Sequence, residues 1–346
     1  MKQFIFVGII LMGVILVIPS LLVVWFADDE PEQAAQEATA SIDSLQQQEQ
    51  TQSAQSAGGE LTVSVFRSQS ETIEEVDFES YIAGVVASEM PASYEKEALK
   101  AQALTARTYI IRQMTSPSDV NIPEGADVTD TVMHQVFQDQ EELKARHGDN
   151  YEDMMAKIEE AVAETKGEVI TFNGSPITAT FFSTSNGYTE NSEEYWENEI
   201  PYLRSVESPW DKESPRFNGE RTFTVPEFES TLGVSVAGIS GSAIGDITER
   251  TTGGRVGKVR FGDTEFTGRE IRDKLELDSS DFTITRNGTE IVVTTRGWGH
   301  GVGMSQFGAD GMAKEGKTYQ DIIHHYYKDV QITEADNILG SFTAKK

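Results

Sequence analysis

Residues 81–109 read YIAGVVASEMPASYEKEALKAQALTARTY, and this stretch decides the first half of the fold. Apolar side chains recur at helical spacing from Phe78 to Met90, and Pro91 ends that helix because proline disfavours helical backbone in the residue before it. A second helical pattern, rich in alanine, covers roughly residues 94–114. The small alanine side chains permit close approach of a neighbour, so the sequence predicts two packed helices.

Glu89 lies on the apolar face of the first predicted helix. It follows Phe78 by eleven residues, and Ile82, Val85 and Val86 share the same face. A carboxyl group in apolar surroundings is costly to ionise, so its pKa rises toward the range in which it can donate a proton near neutral pH. Glu89 is therefore a candidate catalytic acid. A glutamate that reaches solvent from a frayed helix end would show the same spacing.

Arg107 lies on an apolar face of the second predicted helix, together with Ala103, Ile110 and Met114. A guanidinium in that position needs a carboxylate, a carbonyl group or a ligand as its partner. The pattern leaves open whether that partner is substrate or an acidic neighbour in a structural ion pair.

The second half of the chain has the period and turns of antiparallel strands. Residues 167–184 predict a hairpin that turns at Asn173-Gly174, and residues 281–297 predict another that turns at Asn287-Gly288. We therefore expect an α+β fold, with helices in the first half packed against antiparallel strands and hairpins in the second, and a cleft between them.

The chain begins with a long apolar stretch. Residues 4–26 contain no charged side chain, and 23 helical residues are enough to span a hydrocarbon core of about 30 Å. This predicts a transmembrane anchor over 1–27, with a cleavable signal peptide as the alternative. The acidic residues directly after the stretch favour a cytoplasmic N-terminus and an external C-terminal domain. Residues 28–60 predict a polar linker, 61–335 the folded catalytic domain and 336–346 a tail.

Composition excludes several functions. With 57 acidic and 28 basic side chains the formal net charge is −29, which argues against binding to nucleic acid, because phosphate contacts need clustered lysine and arginine. No cysteine occurs among the 346 residues, so disulfides and cysteine zinc sites are excluded. No cofactor is predicted.

Residues 297–308 read GWGHGVGMSQFG, in which four glycines fall within seven residues. Such a run predicts that the backbone packs closely against a neighbouring group, because glycine has no side chain to keep that group away. The partner is either substrate or the protein itself, in a bend around the ring of Trp298 with His300 hydrogen-bonded inside the fold.

Four blocks together resemble the stage II sporulation protein D family, over about residues 63–330. They are residues 81–109, FFSTSNGYTENSEEYW at 181–196, PYLRSVESPWD at 201–211 and GWGHGVGMSQFGADGMA at 297–313. The resemblance implies a membrane-anchored lytic transglycosylase of peptidoglycan, acting during engulfment in sporulation on glycan strands that a partner amidase has stripped of stem peptides. It also implies a multi-spanning membrane protein as partner, and places the domain outside the mother-cell membrane.

The resemblance also assigns roles to residues. The glutamate of the family's SEMP motif falls on Glu89, the implied catalytic residue. The implied substrate-binding residues are Arg107, Ser183, Ser185, Tyr202, Arg204, His300 and Gln306. Some family members carry a histidine and cysteines that bind zinc near the segment DTVMHQVFQD. This chain keeps only His134 there, so we expect no metal.

One carboxyl group suffices for the implied reaction, because the sugar supplies its own nucleophile. Glu89 would protonate the oxygen between N-acetylmuramic acid and N-acetylglucosamine, and its carboxylate would then take the proton of the attacking C6 hydroxyl. Two alternatives remain: a non-catalytic wall-binding enhancer of an amidase, and hydrolysis with a second carboxylate such as Glu190, Glu193 or Asp211.

Overall fold

The computed structural model describes residues 61–116, 122–236, 242–336 and 338. The predicted anchor at 1–27, the linker at 28–60 and nearly all of the tail at 336–346 lie outside these residues. Within the described ranges, no helix has both the length and the apolar character needed to cross a membrane.

Helix α1 (Phe78–Glu89) begins and ends as its sequence predicts. The carboxylate of Asp77 accepts a hydrogen bond of 2.8 Å from the backbone N–H of Ser80 and so caps the helix. At the other end Met90 is extended, as expected before Pro91. Eight of the twelve helical residues are buried, so α1 packs into the core along most of its surface.

Helix α2 (Lys96–Thr115) is the centre of the larger core. Fourteen of its twenty residues are buried, and they lie on every side of the helix. It packs against α1 and against α4 (Tyr151–Glu164), which follows α3 (Gln140–His147). The predicted pair of packed helices is present.

The strands of the described ranges form five small sheets. The first three have the orders β2-β1-β3, β14-β4-β5 and β13-β6, with β1 at Thr62–Arg67, β2 at Thr72–Asp77, β3 at Val128–Thr129, β4 at Glu168–Phe172, β5 at Ser175–Pro176, β6 at Phe181–Phe182, β13 at Met304–Ser305 and β14 at Gln331–Glu334. The other two have the orders β11-β12-β7 and β10-β9-β8, with β7 at Asn218–Thr224, β8 at Asp246–Arg250, β9 at Val256–Phe261, β10 at Thr264–Thr267, β11 at Phe282–Asn287 and β12 at Glu290–Arg296.

Both predicted hairpins form, although one turns a residue later than expected. Strands β4 and β5 pair Phe172 with Ser175, so Asn173-Gly174 is the turn, and both residues have positive φ. Strands β11 and β12 pair Asn287 with Glu290, so the turn is residues 288–289. Gly288 then occupies the first turn position with φ 64°, a conformation that glycine adopts without strain.

The expected separation of helices and strands is only partly right. The second half contains four further helices: α5 (Val225–Leu232), α6 (Gly268–Lys274), α7 (Gln306–Lys314) and α8 (Tyr319–Tyr326). The pairs β1–β3 and β6–β13 are parallel, because long connections bring distant segments side by side. The fold is α+β, as predicted.

The described residues form two separate hydrophobic cores. The larger contains α1, α2 and α4 together with α7 and α8 from the C-terminal end. The smaller lies wholly within residues 223–293 and is formed by β7, β9, β11, β12 and the helices α5 and α6. The chain therefore leaves the larger core after the motif block at 201–211 and returns to it with the glycine-rich block.

Candidate active site around Glu89

Glu89 is the last residue of α1, and its side chain is half-buried. The backbone N–H of Val136 donates a hydrogen bond of 2.9 Å to its Oε1 atom. Burial raises the pKa of the Glu89 carboxyl, and the hydrogen bond from Val136 opposes part of that rise. No lysine, arginine or histidine of the described ranges pairs with it, so the carboxyl has the environment expected of a proton donor.

A tight packing contact holds Val136 at Glu89. The ring of Phe137 stacks on Tyr81 with 5.2 Å between centroids, and the same ring lies against Gly84 of α1. A Cβ atom at Gly84 would come within 2.5 Å of the Phe137 ring and 2.8 Å of the Gln138 carbonyl oxygen. Gly84 thus allows the loop to approach α1. This contact was not predicted from the sequence, although an isolated glycine in a helix often marks close packing.

Arg107 is buried in a structural ion pair. Its Nε and Nη2 atoms donate to the two carboxylate oxygens of Glu79 at 3.1 and 2.7 Å. The remaining N–H groups donate to the Thr165 carbonyl and hydroxyl oxygens and to the Val162 carbonyl oxygen. These five bonds account for all five donors of the guanidinium, so the contacts correspond to the ion-pair alternative and not to a substrate contact.

Ser185 lies in a buried cluster around Asp211. The hydroxyl groups of Ser185, Ser208 and Ser305 donate to the Asp211 carboxylate at 2.6, 2.6 and 2.7 Å. Burial raises the pKa of Asp211, and the three hydroxyl groups oppose that rise. Ser185 is fully buried, so its predicted place on a cleft surface does not agree with this structure. Ser183 is half-buried, and its carbonyl oxygen accepts from the Phe307 N–H at 3.0 Å.

Tyr202 and Arg204 are also held by the protein. The Tyr202 hydroxyl accepts a hydrogen bond of 2.9 Å from the Thr178 N–H, and the side chain is buried. Arg204 donates to the Glu193 carboxylate at 2.9 Å and to the Glu199 carboxylate at 3.3 Å. Arg204 keeps a quarter of its side chain exposed, so of these two it is the residue that can meet a ligand.

Both ring nitrogens of His300 have hydrogen-bond partners within the protein. Its Nε2 atom is 3.0 Å from the Phe181 carbonyl oxygen, and its Nδ1 atom accepts from the Val302 N–H at 3.1 Å. These partners assign a neutral ring with the proton on Nε2. Burial lowers the pKa of His300 to about 3, and the nearby Arg272 charge adds to the effect. The second interpretation of the glycine-rich run therefore fits this residue.

The glycines of the run at 297–308 pack closely against other residues of the protein. A Cβ atom at Gly301 would come within 2.5 Å of the Arg255 guanidinium, and one at Gly297 within 2.9 Å of the Ser185 backbone. Gln306 follows the run at the start of α7, where its amide donates to Gln102 of α2 at 3.4 Å, and it is buried. The run thus brings its neighbouring blocks together by close packing.

The three alternative second carboxylates all have strong partners. Glu190 forms an ion pair of 3.0 Å with Arg255, and both side chains are buried. Burial raises the pKa of Glu190, and the Arg255 charge opposes that rise. Glu193 is paired with Arg204, whose hydrogen bond lowers the pKa of that carboxyl, and Asp211 accepts from three serines. None of the three is a free base.

A cavity of about 720 Å³ lies between α1, α3 and α4, and Glu89 is not among its lining residues.

His134 lies close to Val136 in the chain, and its Nδ1 atom contacts the Thr129 hydroxyl at 3.0 Å. Within the described ranges, no group of three potential ligands that could hold a metal ion occurs. The expectation of no metal stays a prediction.

These features define a class: an α+β domain with one unpaired, half-buried carboxyl group at a helix end and a buried serine-aspartate cluster. Comparison with known proteins shows that the chain belongs to the stage II sporulation protein D family. A family model described as "Stage II sporulation protein" matches residues 67–172, which include both Glu89 and Val136.

Two relatives carry the name Stage II sporulation protein D. That of Bacillus subtilis (strain 168) is 49% identical over 352 aligned residues, covering all of both chains. That of Bacillus amyloliquefaciens is 50% identical over 286 residues, covering 83% of each chain. A protein named Amidase enhancer from Bacillus subtilis (strain 168) is 28% identical over 304 residues, covering 73% of this chain and 40% of that protein.

Proposed function

We propose that the chain is a lytic transglycosylase that cleaves the bond between N-acetylmuramic acid and N-acetylglucosamine in peptide-free peptidoglycan strands. The observation that carries the proposal is the Glu89 carboxyl group, half-buried, bonded to one backbone N–H and without a basic partner in the described ranges. Membership of the stage II sporulation protein D family supports a role in sporulation.

The chemistry needs one group that first donates and then accepts a proton. Because burial raises its pKa, Glu89 stays protonated at a higher pH than an exposed glutamate and can protonate the glycosidic oxygen. The C–O bond to C1 of the muramic sugar then breaks. The Glu89 carboxylate, stabilised by the Val136 N–H, removes the proton from the C6 hydroxyl as its oxygen bonds to C1. The product ends in 1,6-anhydro-N-acetylmuramic acid.

The hydrolytic alternative is less well supported. It requires a second carboxylate free to activate water or attack C1, and Glu190, Glu193 and Asp211 are each held by arginine or serine side chains. A non-catalytic enhancer of an amidase remains the second candidate, because a relative bears the name Amidase enhancer.

One experiment separates the three functions. Purified, peptide-free glycan strands are incubated with the full chain, and the products are analysed by mass spectrometry. We expect fragments with 1,6-anhydro ends, which are lighter than reducing ends by one water. Reducing ends would establish hydrolysis instead. Intact strands, together with faster release of stem peptides when the chain is added to an amidase acting on peptide-bearing peptidoglycan, would establish the enhancer function.

We further propose that residues 1–27 anchor the domain outside a membrane, with partners that include an amidase and a multi-spanning membrane protein. The apolar sequence of residues 4–26 supports the anchor, and the name of the enhancer relative supports an amidase. Deletion of residues 1–27 should move the protein from the membrane to the soluble fraction. Retention in the membrane fraction would contradict the anchor.

A further inference from the structure

A recess of about 420 Å³ opens beside Trp298, away from the contacts of Glu89. It is lined by Arg272, Asp273, Glu276, Leu277, Asp278 and Trp298. The indole ring is 41% exposed, although it belongs to the densely packed glycine-rich run. A large aromatic side chain left open to water beside polar groups is a frequent feature of binding sites.

The exposed ring is held in place from two directions. The backbone of Trp298 exchanges two hydrogen bonds with Thr184, at 2.7 and 3.0 Å. The guanidinium of Arg216 lies over the indole, 4.8 Å from the ring centroid. A ring fixed before binding loses little conformational freedom when a ligand packs on it, which favours affinity.

Asp278 provides a polar group that lacks a partner. Its carboxylate is half-buried and makes no hydrogen bond or ion pair with the described residues, whereas Asp273 and Glu276 pair with Arg269 and Arg221. Its carbonyl oxygen accepts from the Gly299 N–H at 2.9 Å, which fixes it next to Trp298. A carboxylate in this position can accept hydrogen bonds from a ligand.

Arg216 supplies a positive charge at the edge of this recess, because its guanidinium lies over the Trp298 ring. The guanidinium of Arg216 makes no ion pair within the described ranges, so it is available to an anionic group.

We propose that the Trp298 recess is a second glycan-binding site, which holds the strand apart from the bond that is cleaved. The apolar face of a pyranose ring packs on the indole, and a hydroxyl or acetamido N–H donates to Asp278. Arg216 pairs with the lactyl carboxylate of a muramic sugar that has lost its stem peptide. This inference rests on the proposed action on cell-wall glycan.

The test measures binding without cleavage. The full chain carrying Glu89→Gln is titrated with a reduced, peptide-free glycan tetrasaccharide in a calorimeter. Adding Trp298→Ala should weaken binding about tenfold, which corresponds to about 1.4 kcal/mol, because the sugar ring loses the apolar surface on which it packs. Trp298→Phe should keep most of the affinity, and Asp278→Asn should lose part of it.

Ile73→Ala is the matched control, because Ile73 has the same 41% exposure and lies on β2, outside the recess. Equal affinity of the Trp298→Ala and Ile73→Ala proteins would overturn the recess as a binding site and leave the proposed function standing. An absence of binding by the Glu89→Gln protein itself would overturn both.

Discussion

At the scale of single residues, Glu89 differs from the other candidate carboxyl groups in what surrounds it. Glu190 and Glu193 face arginines, and Asp211 faces three hydroxyl groups, while Glu89 has one backbone N–H. The helical spacing predicted its position on the apolar face of α1. The spacing could not predict the partner, since Val136 lies 47 residues further along the chain.

The raised pKa of Glu89 has a consequence for stability. A carboxyl group whose pKa is higher in the folded than in the unfolded protein favours folding below the unfolded value, and this contribution is lost as pH rises through the folded value. Glu89→Gln keeps the acceptor for the Val136 N–H and removes the charge. We expect the variant to be more stable than the wild type at pH 7, with the difference disappearing near pH 4.

Urea unfolding at several pH values measures this difference. The matched control is Glu95→Gln, since Glu95 is exposed, directly precedes α2 as its N-cap residue and makes no capping hydrogen bond with its side chain. A destabilised Glu89→Gln protein at pH 7 would show that the carboxylate is favourably held and would remove the basis for a raised pKa.

At the scale of elements, the helices and hairpins were largely predictable because their signals are local. Proline, the Asn-Gly turns and apolar spacing gave α1, α2 and both hairpins to within about a residue or two. The parallel pairs β1–β3 and β6–β13 were not predictable, because each pairing is only two residues long and joins strands that are far apart in sequence.

The contact between α1 and the Val136 loop can be tested at Gly84. Alanine favours a helix over glycine by about 1 kcal/mol, yet its Cβ atom would lie 2.5 Å from the Phe137 ring. Overpacking of this kind costs about 1–3 kcal/mol and displaces the loop. We expect Gly84→Ala to unfold at lower urea concentration and to lose activity on glycan, with Ser88→Ala on the same helix as control. Increased stability with full activity would contradict the contact.

The ion pair of Arg107 with Glu79 ties α1, α2 and the end of α4 together. Arg107→Met should destabilise the fold by about 3–5 kcal/mol, because it leaves the Glu79 carboxylate without its cationic partner. Lys96→Met, which breaks an exposed pair with Glu164, should change stability little. A stable Arg107→Met protein with a raised KM for glycan would instead support the predicted substrate contact.

At the scale of the whole molecule, three of the four motif blocks meet at one carboxylate. Ser185 comes from the block at 181–196, Ser208 and Asp211 from 201–211, and Ser305 from the glycine-rich block. This cluster could not be predicted from the sequence, since residue types that line a sugar cleft also form buried hydrogen-bond networks. Residues of three motif blocks therefore contribute to the framework of the fold.

The Asp211 cluster should therefore govern global stability. Asp211→Ala leaves three buried hydroxyl groups without their acceptor, and we expect a loss of about 3–5 kcal/mol in the free energy of unfolding. Asp263→Ala, at an exposed turn, serves as the control. A loss no larger than that of the control would contradict the structural role of the cluster.

The proposed role of Glu89 as both acid and base can be tested by comparing three proteins in one assay. Release of anhydromuramic ends from peptide-free glycan is followed for the wild type, Glu89→Gln and Glu95→Gln proteins, all shown to be folded. General acid and base catalysis contributes a factor of about 10²–10⁴ to the rate. We therefore expect the Glu89→Gln protein to release anhydromuramic ends more slowly by about that range, and the Glu95→Gln protein to match the wild-type rate. A Glu89→Gln protein that releases anhydromuramic ends at the wild-type rate would show that Glu89 is not the catalytic acid and base.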